Sequence, residues 1–281
     1  MFWQMVERFL NFISIFSHTA DSLEESVISY LNSLKVDLKN CRGQSYNNAS
    51  NLAGKYNGLR AKIKNYSESA HYVPCSSHSL NLVGSFAADC CPLAARYFST
   101  IQDIYTFFAA STYRWNLVSS DTRWTARADA IRAIINGFNE IKSALQKLEE
   151  DVSQKRLTQI EARGLYDKVK SFEFCLLTVL WNKILNRINA TSKSLQEITA
   201  NLNIVCTLYE SLIGFVQELR NDFDSIEEKA KEICGNFTDA IYSTGFQRSC
   251  KRKCKFDDNC DDAIQFSAKN NFKINTFYVI P

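Results

Sequence analysis

Tyr46-Asn47-Asn48-Ala49-Ser50-Asn51-Leu52 lies between Cys41-Arg42-Gly43-Gln44-Ser45 and Gly54-Lys55-Tyr56. A strand-like run ends here and a helix begins. A divalent ion held at such a junction would need carboxylates to offset its charge. The chain offers the neutral amide of Asn47 instead. The stretch therefore sets an α/β expectation for the first part of the chain, and the same residue argues against metal chemistry there.

On the N-terminal side, residues 6–13 show partial alternation of aromatic and β-branched side chains and read as a strand. Thr19 or Asp21 caps a helix with Leu23, Val27, Tyr30, Leu31 and Leu34 on one face. Residues 36–45 are strand-like. Residues 49–63 read as one helix, with Leu52, Tyr56, Leu59 and Ile63 on one side. Tyr72-Val73-Pro74 is a brief strand, and residues 77–88 form a helix. This alternation is an α/β pattern.

After Pro92 only helices are expected, over 93–110, 125–150, 159–189, 194–219 and 225–234. The series Ile131, Ile134, Ile135, Phe138, Ile141, Leu145, Leu148 faces a core by its spacing. Leu202, Val205, Leu208, Tyr209, Leu212 and Phe215 repeat the idea. The expected fold class is α/β plus all-α. Residues 1–91 form an incomplete core, 92–242 a helical insertion, and 243–281 a charged loop followed by an apolar element. A strand starting almost at Met1 and an apolar run ending at Pro281 suggest truncation at both ends.

With 281 residues and 46% hydrophobic content, the chain can bury a sizeable core. Nine Gly and three Pro favour long helices over turn-rich β architectures. A net charge of +3 does not by itself imply nucleic acid. Ten irregularly spaced Cys, including the tandem Cys90-Cys91, do not resemble a secreted disulfide framework. Sequons occur at Asn48, Asn65, Asn189 and Asn236, but no signal peptide precedes them. Apolar runs such as 174–180 are too short to span a bilayer. The chain reads as soluble and intracellular, nuclear or cytoplasmic.

Several blocks occur in a specific order: residues 6–12, 37–44, 48–56, Val73-Pro74-Cys75-Ser76-Ser77-His78 continuing to 83, Thr122-Arg123-Trp124-Thr125 continuing to 127, 172–181 and 191–196. In this order they resemble the hAT-superfamily transposases. More closely, they resemble the transposase-derived zinc finger MYM-type protein 1-like group. The resemblance implies an RNase H-like core interrupted by a large helical insertion. It also implies Mg²⁺-dependent DNA strand transfer by three carboxylates. It places the second carboxylate at position 47, where this chain has Asn; the first belongs upstream of these residues and the third beyond Pro281. The family's N-terminal zinc finger and C-terminal dimerisation region have no counterpart here. A lone neutral amide cannot hold two divalent ions against their mutual repulsion, so no cofactor and no catalysis are expected.

Cys75-Ser76-Ser77-His78 has the spacer of half a zinc site, but structural zinc takes four ligands. A helix start with a buried Cys and a hydrogen-bonded His is the preferred reading. By resemblance, His78 helps to organise the core. Cys250, Cys254 and Cys260 match no common finger. Arg123-Trp124 either stacks on an unpaired base with its guanidinium on phosphate, or packs its indole at a hinge. Lys251-Arg252-Lys253 either steers DNA or marks nuclear import, or is a loop balanced by Asp257, Asp258, Asp261 and Asp262.

The expected function is that of an inactive transposase-derived fragment with residual DNA or protein binding. The alternatives are a helical interaction scaffold, a degenerate relic, or an active transposase if the reading frame is incomplete. Membranes are excluded as partners, and nothing in the sequence sets an oligomeric state.

Overall fold

Thr19 caps the first helix as expected, its hydroxyl accepting the Ser22 amide at 3.3 Å. The computed structural model describes residues 6–118, 127–197, 200–235, 242 and 267–280. It divides into two units: Met1–Val83 with Thr191–Leu208, and Gly84–Ala190 with Tyr209–Pro281. Each closes around its own apolar cluster.

The first unit contains α1 (Ala20–Ser33), a 3₁₀ turn (Leu38–Asn40), β1 (Gly43–Gln44), α2 (Ser50–Ala53), α3 (Leu59–Tyr66) and β2 (His71–Tyr72). Leu23, Leu59, Ile63 and Ala70 are its buried centre, with Val27, Leu38, Tyr46 and Leu52 packed around them. Lys62 on α3 pairs with Asp21 and Glu24 of α1 at 2.5 and 2.8 Å. The strands pair in parallel, Gly43 with His71 and Gln44 with Tyr72.

The α/β expectation is thus realised only in part, since the described residues hold two short strands in a mostly helical structure. The strand expected over 6–13 is not formed. Those residues are irregular, and Val6, Phe9, Leu10 and Phe12 are exposed. A strand needs a neighbour to satisfy its backbone, and among the described residues the Tyr30 hydroxyl reaches this segment, donating to Leu10 O at 3.2 Å.

The helix expected over 49–63 is two. A Cβ at Gly58 would lie 2.4 Å from Gly54 N, and one at Gly54 would lie 2.4 Å from Ser50 O. Two glycines let the backbone fold back on itself between α2 and α3, and Tyr56, at the turn, is exposed.

The remaining elements are helices: α4 (Ser76–Ala88), α5 (Pro92–Ala109), α6 (Thr112–Leu117), α7 (Arg127–Asn136), α8 (Phe138–Glu150), α9 (Arg156–Val169), α10 (Phe172–Ser194), α11 (Leu202–Leu219), α12 (Phe223–Cys234) and α13 (Ala268–Phe272), of which residues 76–83, 191–194 and 202–208 belong to the first unit and the rest to the second. A π turn (Lys273–Phe277) follows α13. The expected series from Ile131 to Leu148 is buried except for half-buried Ile135. Burying each such Ile or Leu stabilises by about 1.5–3 kcal/mol. Trp181 is fully enclosed with its ring edge-on to Phe98, centroids 4.9 Å apart.

Two expected long helices are divided. Gly137 separates α7 from α8. Ser171 separates α9 from α10, its hydroxyl accepting the Phe174 amide at 3.3 Å as an N-cap. In α11 the expected face is only partly covered: Leu212 and Leu219 are buried, while Leu202 is exposed. The apolar run near the C-terminus packs into this unit through Phe272, Phe277 and Ile280. Among the described residues, no helix is long and apolar enough to cross a membrane.

Candidate functional site

Parallel pairing carries the two strands to the same edge. His71 N donates to Arg42 O at 3.2 Å, Val73 N to Gln44 O at 3.0 Å, and Cys75 N to Tyr46 O at 3.1 Å. Tyr46 is therefore beside Cys75, and the chain leaves one strand at Asn47 and the other at Ser76. Asn47 and Cys75 thus follow the paired strands at one edge, Asn47 exposed and Cys75 half-buried; His78, also half-buried, lies three residues further on in α4.

Two of the side chains have local tasks. Asn47 Oδ1 accepts the Ala49 amide at 3.0 Å, an Asx turn that leads into α2. Asn48 Nδ2 donates to Ser79 Oγ at 3.3 Å, tying this turn to the first turns of α4. Cys75 is a free thiol whose carbonyl accepts the Ser79 amide at 2.9 Å, opening α4. His78 follows in the first turn.

Behind the edge, Tyr46 and Tyr72 stack with centroids 6.2 Å apart. The Arg60 guanidinium lies 4.8 Å over the Tyr72 ring. Burial, then Cys41 and Tyr72, push the Tyr46 phenol up to about 12, so at neutral pH it is a hydrogen-bonding group and not a base. Gln44 Nε2 donates to Arg60 O and Ala70 O, both at 3.0 Å.

Sequence reasoning missed the support on the far side of α4. Ser77 and Ser192 hydroxyls meet at 2.7 Å inside the first unit, and Gln196 Nε2 donates to Ser77 Oγ at 2.9 Å. Ser77, Thr191 and Ser192 are buried. This seam joins two of the ordered blocks, and no spacing rule connects residues so far apart. Arg123, Trp124, Lys251, Arg252 and Lys253, and the cysteines at 250, 254 and 260, lie outside the described residues.

A second signal is a distribution of charge, which spacing rules do not register. No Asp or Glu occurs between Asp37 and Glu68, nor between Glu68 and Asp89. The same interval carries Lys39, Arg42, Lys55, Arg60, Lys62 and Lys64. Lys39, Arg42, Lys55 and Lys64 are exposed, and the Lys55 ammonium lies 5.6 Å over the exposed ring of Tyr56. Mg²⁺ takes oxygen donors, with carboxylates to offset its charge; Asn47, Asn48, Cys75, His78 and Ser79 offer amide, thiol, imidazole and hydroxyl groups and no carboxylate. The donor set does not fit a pair of divalent ions. The described residues contain no cluster of three or more His, Cys, Asp or Glu side chains placed to hold a metal.

A family model described as "ZMYM1/FAM200, RNase-like domain" matches residues 3–58. The match takes in α1, β1, Asn47 and α2, and supports kinship with transposase-derived proteins of the ZMYM1/FAM200 type. No solved structure matches the chain.

Proposed function

We propose that the RNase-like unit of this chain is a nucleic-acid-binding module that does not carry out strand transfer. The observation that carries the reading is that Asn47 stands in a stretch of sequence, residues 38–67, that holds six Lys and Arg and no Asp or Glu, with its side-chain oxygen engaged in a turn. Fixed positive charge repels divalent cations and attracts phosphate. An exposed Tyr beside an exposed Lys can stack on an unpaired base while the ammonium meets the backbone. Derivation from a hAT-type element and a nuclear location are the finer readings consistent with the ordered sequence blocks.

Two measurements test this on the full chain. Fluorescence anisotropy with labelled single-stranded and duplex DNA should show binding that weakens steeply as salt rises. Tyr56→Ala should weaken single-strand binding by about 1–3 kcal/mol, the usual range for one base–aromatic stack. Incubation with hairpin or terminal-repeat DNA and Mg²⁺ or Mn²⁺ should give no metal-dependent product. Robust cleavage, or binding indifferent to salt, overturns the proposal.

One observation favours a second reading, a protein-interaction scaffold. On the part of α11 in the second unit, Ile213 is 57% exposed. A partner covering that face would bind with little salt dependence, so the same titration separates the two readings.

A further inference from the structure

A cleft of about 700 Å³ opens on the second unit. One wall is the second half of α10, with Lys183, Arg187 and Ala190; the other is the end of α11 and the turn after it, with Phe215, Leu219 and Asp222. All of these residues belong to the second unit. The volume lies in the range of small-molecule sites, which combine apolar walls with a few placed polar groups. Phe215, Leu219 and Ala190 are the apolar part here. Lys183 and Arg187 differ in their partners. Lys183 Nζ is paired with the Asp222 carboxylate. Arg187 is in no ion pair among the described residues: Nη2 donates to Ser211 Oγ at 2.5 Å, and the guanidinium lies 5.7 Å from the Phe215 ring centroid. Its Nε is buried and has no acceptor among the described residues. A desolvated donor without an acceptor is costly, and the guanidinium fork matches the two oxygens of a carboxylate. Asn186, also in the lining, does not supply the acceptor. Its Oδ1 accepts from Arg132 Nη2 at 3.3 Å, and its Nδ2 donates to Asn182 Oδ1 at 3.0 Å.

We propose that this cleft binds a small organic monocarboxylate with an apolar or aromatic body, its carboxylate on Arg187 and its body against Phe215 and Leu219. The lining charges select a single negative group. Asp222 is neutralised by Lys183, but Glu218 lines the same cleft, is exposed and is in no ion pair among the described residues. A doubly charged phosphate ester would meet about twice the repulsion from it that a carboxylate meets. Beside the Phe215 ring the guanidinium is partly shielded from water, which strengthens its pairing with an anion. Because residues of the second unit make the site, it is independent of nucleic-acid binding by the RNase-like unit.

The test uses the full chain with 2-naphthoate as probe, followed by calorimetric titration and by hydrogen exchange read by mass spectrometry. Saturable binding is expected, with slowed exchange in peptides covering 183–190 and 211–222. Acetate lacks the apolar body and 2-naphthalenemethanol lacks the charge; each should bind about tenfold more weakly or worse. So should phenyl phosphate, at a pH where it is doubly charged. Arg187→Gln should weaken 2-naphthoate by about tenfold or more and leave the neutral alcohol unchanged. Glu218→Gln should tighten 2-naphthoate, whereas a site for a cation would be weakened. The proposal is overturned if 2-naphthoate does not bind, if it protects other peptides instead, or if the alcohol or the phosphate ester binds as tightly. Equal affinity in Arg187→Gln, or weaker binding in Glu218→Gln, overturns it as well. The ligand comparisons are read on the parent chain, so they stand even where a variant folds poorly.

Discussion

Asn47 Oδ1 accepts the Ala49 amide at 3.0 Å, and a carboxylate of the same length would accept it equally well. Asn47→Asp should therefore leave stability within about 0.5 kcal/mol, the range of ordinary surface changes. It should also leave the chain without metal-dependent cleavage, because one carboxylate among cations cannot seat two ions. Denaturant titration and the cleavage assay measure the two halves separately. Glu227 is the opposite case, a buried carboxylate kept charged by its partners. Burial opposes ionisation, but Lys269 Nζ at 2.7 Å and the Tyr242 hydroxyl at 2.5 Å outweigh it, and the group titrates below its usual range. A lowered folded value contributes stability that is complete above the ordinary Glu value of about 4.3 and is lost as pH falls through the folded one. Tyr242 has the reverse sign: burial, then Glu227, raise it, so its contribution is complete below about 10 and is lost as pH rises. Glu227→Gln should cost about 1.5–3 kcal/mol at neutral pH, the range for hydrogen bonds to charged groups. It should also flatten the acid limb of a stability-against-pH curve. An unchanged acid limb would show that this carboxylate is not the titrating group.

Glycines decide where several helices stop. Gly58 approaches Gly54 so closely that Gly58→Ala must displace backbone. A cost of about 1–3 kcal/mol is expected, as for other overpacking changes. Gly164 lies inside α9, where a methyl group would meet nothing within 4 Å. Gly164→Ala should stabilise by about 0.5–1 kcal/mol through helix propensity alone. Thermal melts of the two variants should move in opposite directions. The sequence pattern made α1, α4, α5 and the α7–α8 stripe legible, because their apolar residues recur at helical spacing and a core covers them. It did not reveal that residues 49–63 break, since period alone ignores what two glycines four apart permit. Nor did it distinguish residues 6–13 from a strand, because alternation describes a side-chain pattern and says nothing of a hydrogen-bonding neighbour.

Across the chain, the two apolar clusters differ in size. The first centres on Leu23, Leu59, Ile63 and Ala70; the second runs from α4 through α12 to Ile280. Opening free energy follows buried apolar contact. Hydrogen exchange should therefore be faster in α1 and α3 than in α8 and α10, by mass spectrometry on the intact chain. Equal protection would mean that both units open together. The strand pairing was half legible: Asn47 and Cys75 stood out in the sequence, and the parallel pairing sets Tyr46, next to Asn47, beside Cys75. The serine seam behind α4 was not, because its partners are separated by 115 positions and only three-dimensional closure brings them together.

Trp181 is enclosed on all sides, and no other described tryptophan is buried to that degree. An indole shielded from water emits at shorter wavelength than one in contact with it. The described part of the first unit has tyrosines but no tryptophan. Trp181 is one of four tryptophans in the chain, so the difference between the emission of the parent chain and that of Trp181→Phe supplies an optical gauge of the α10 core.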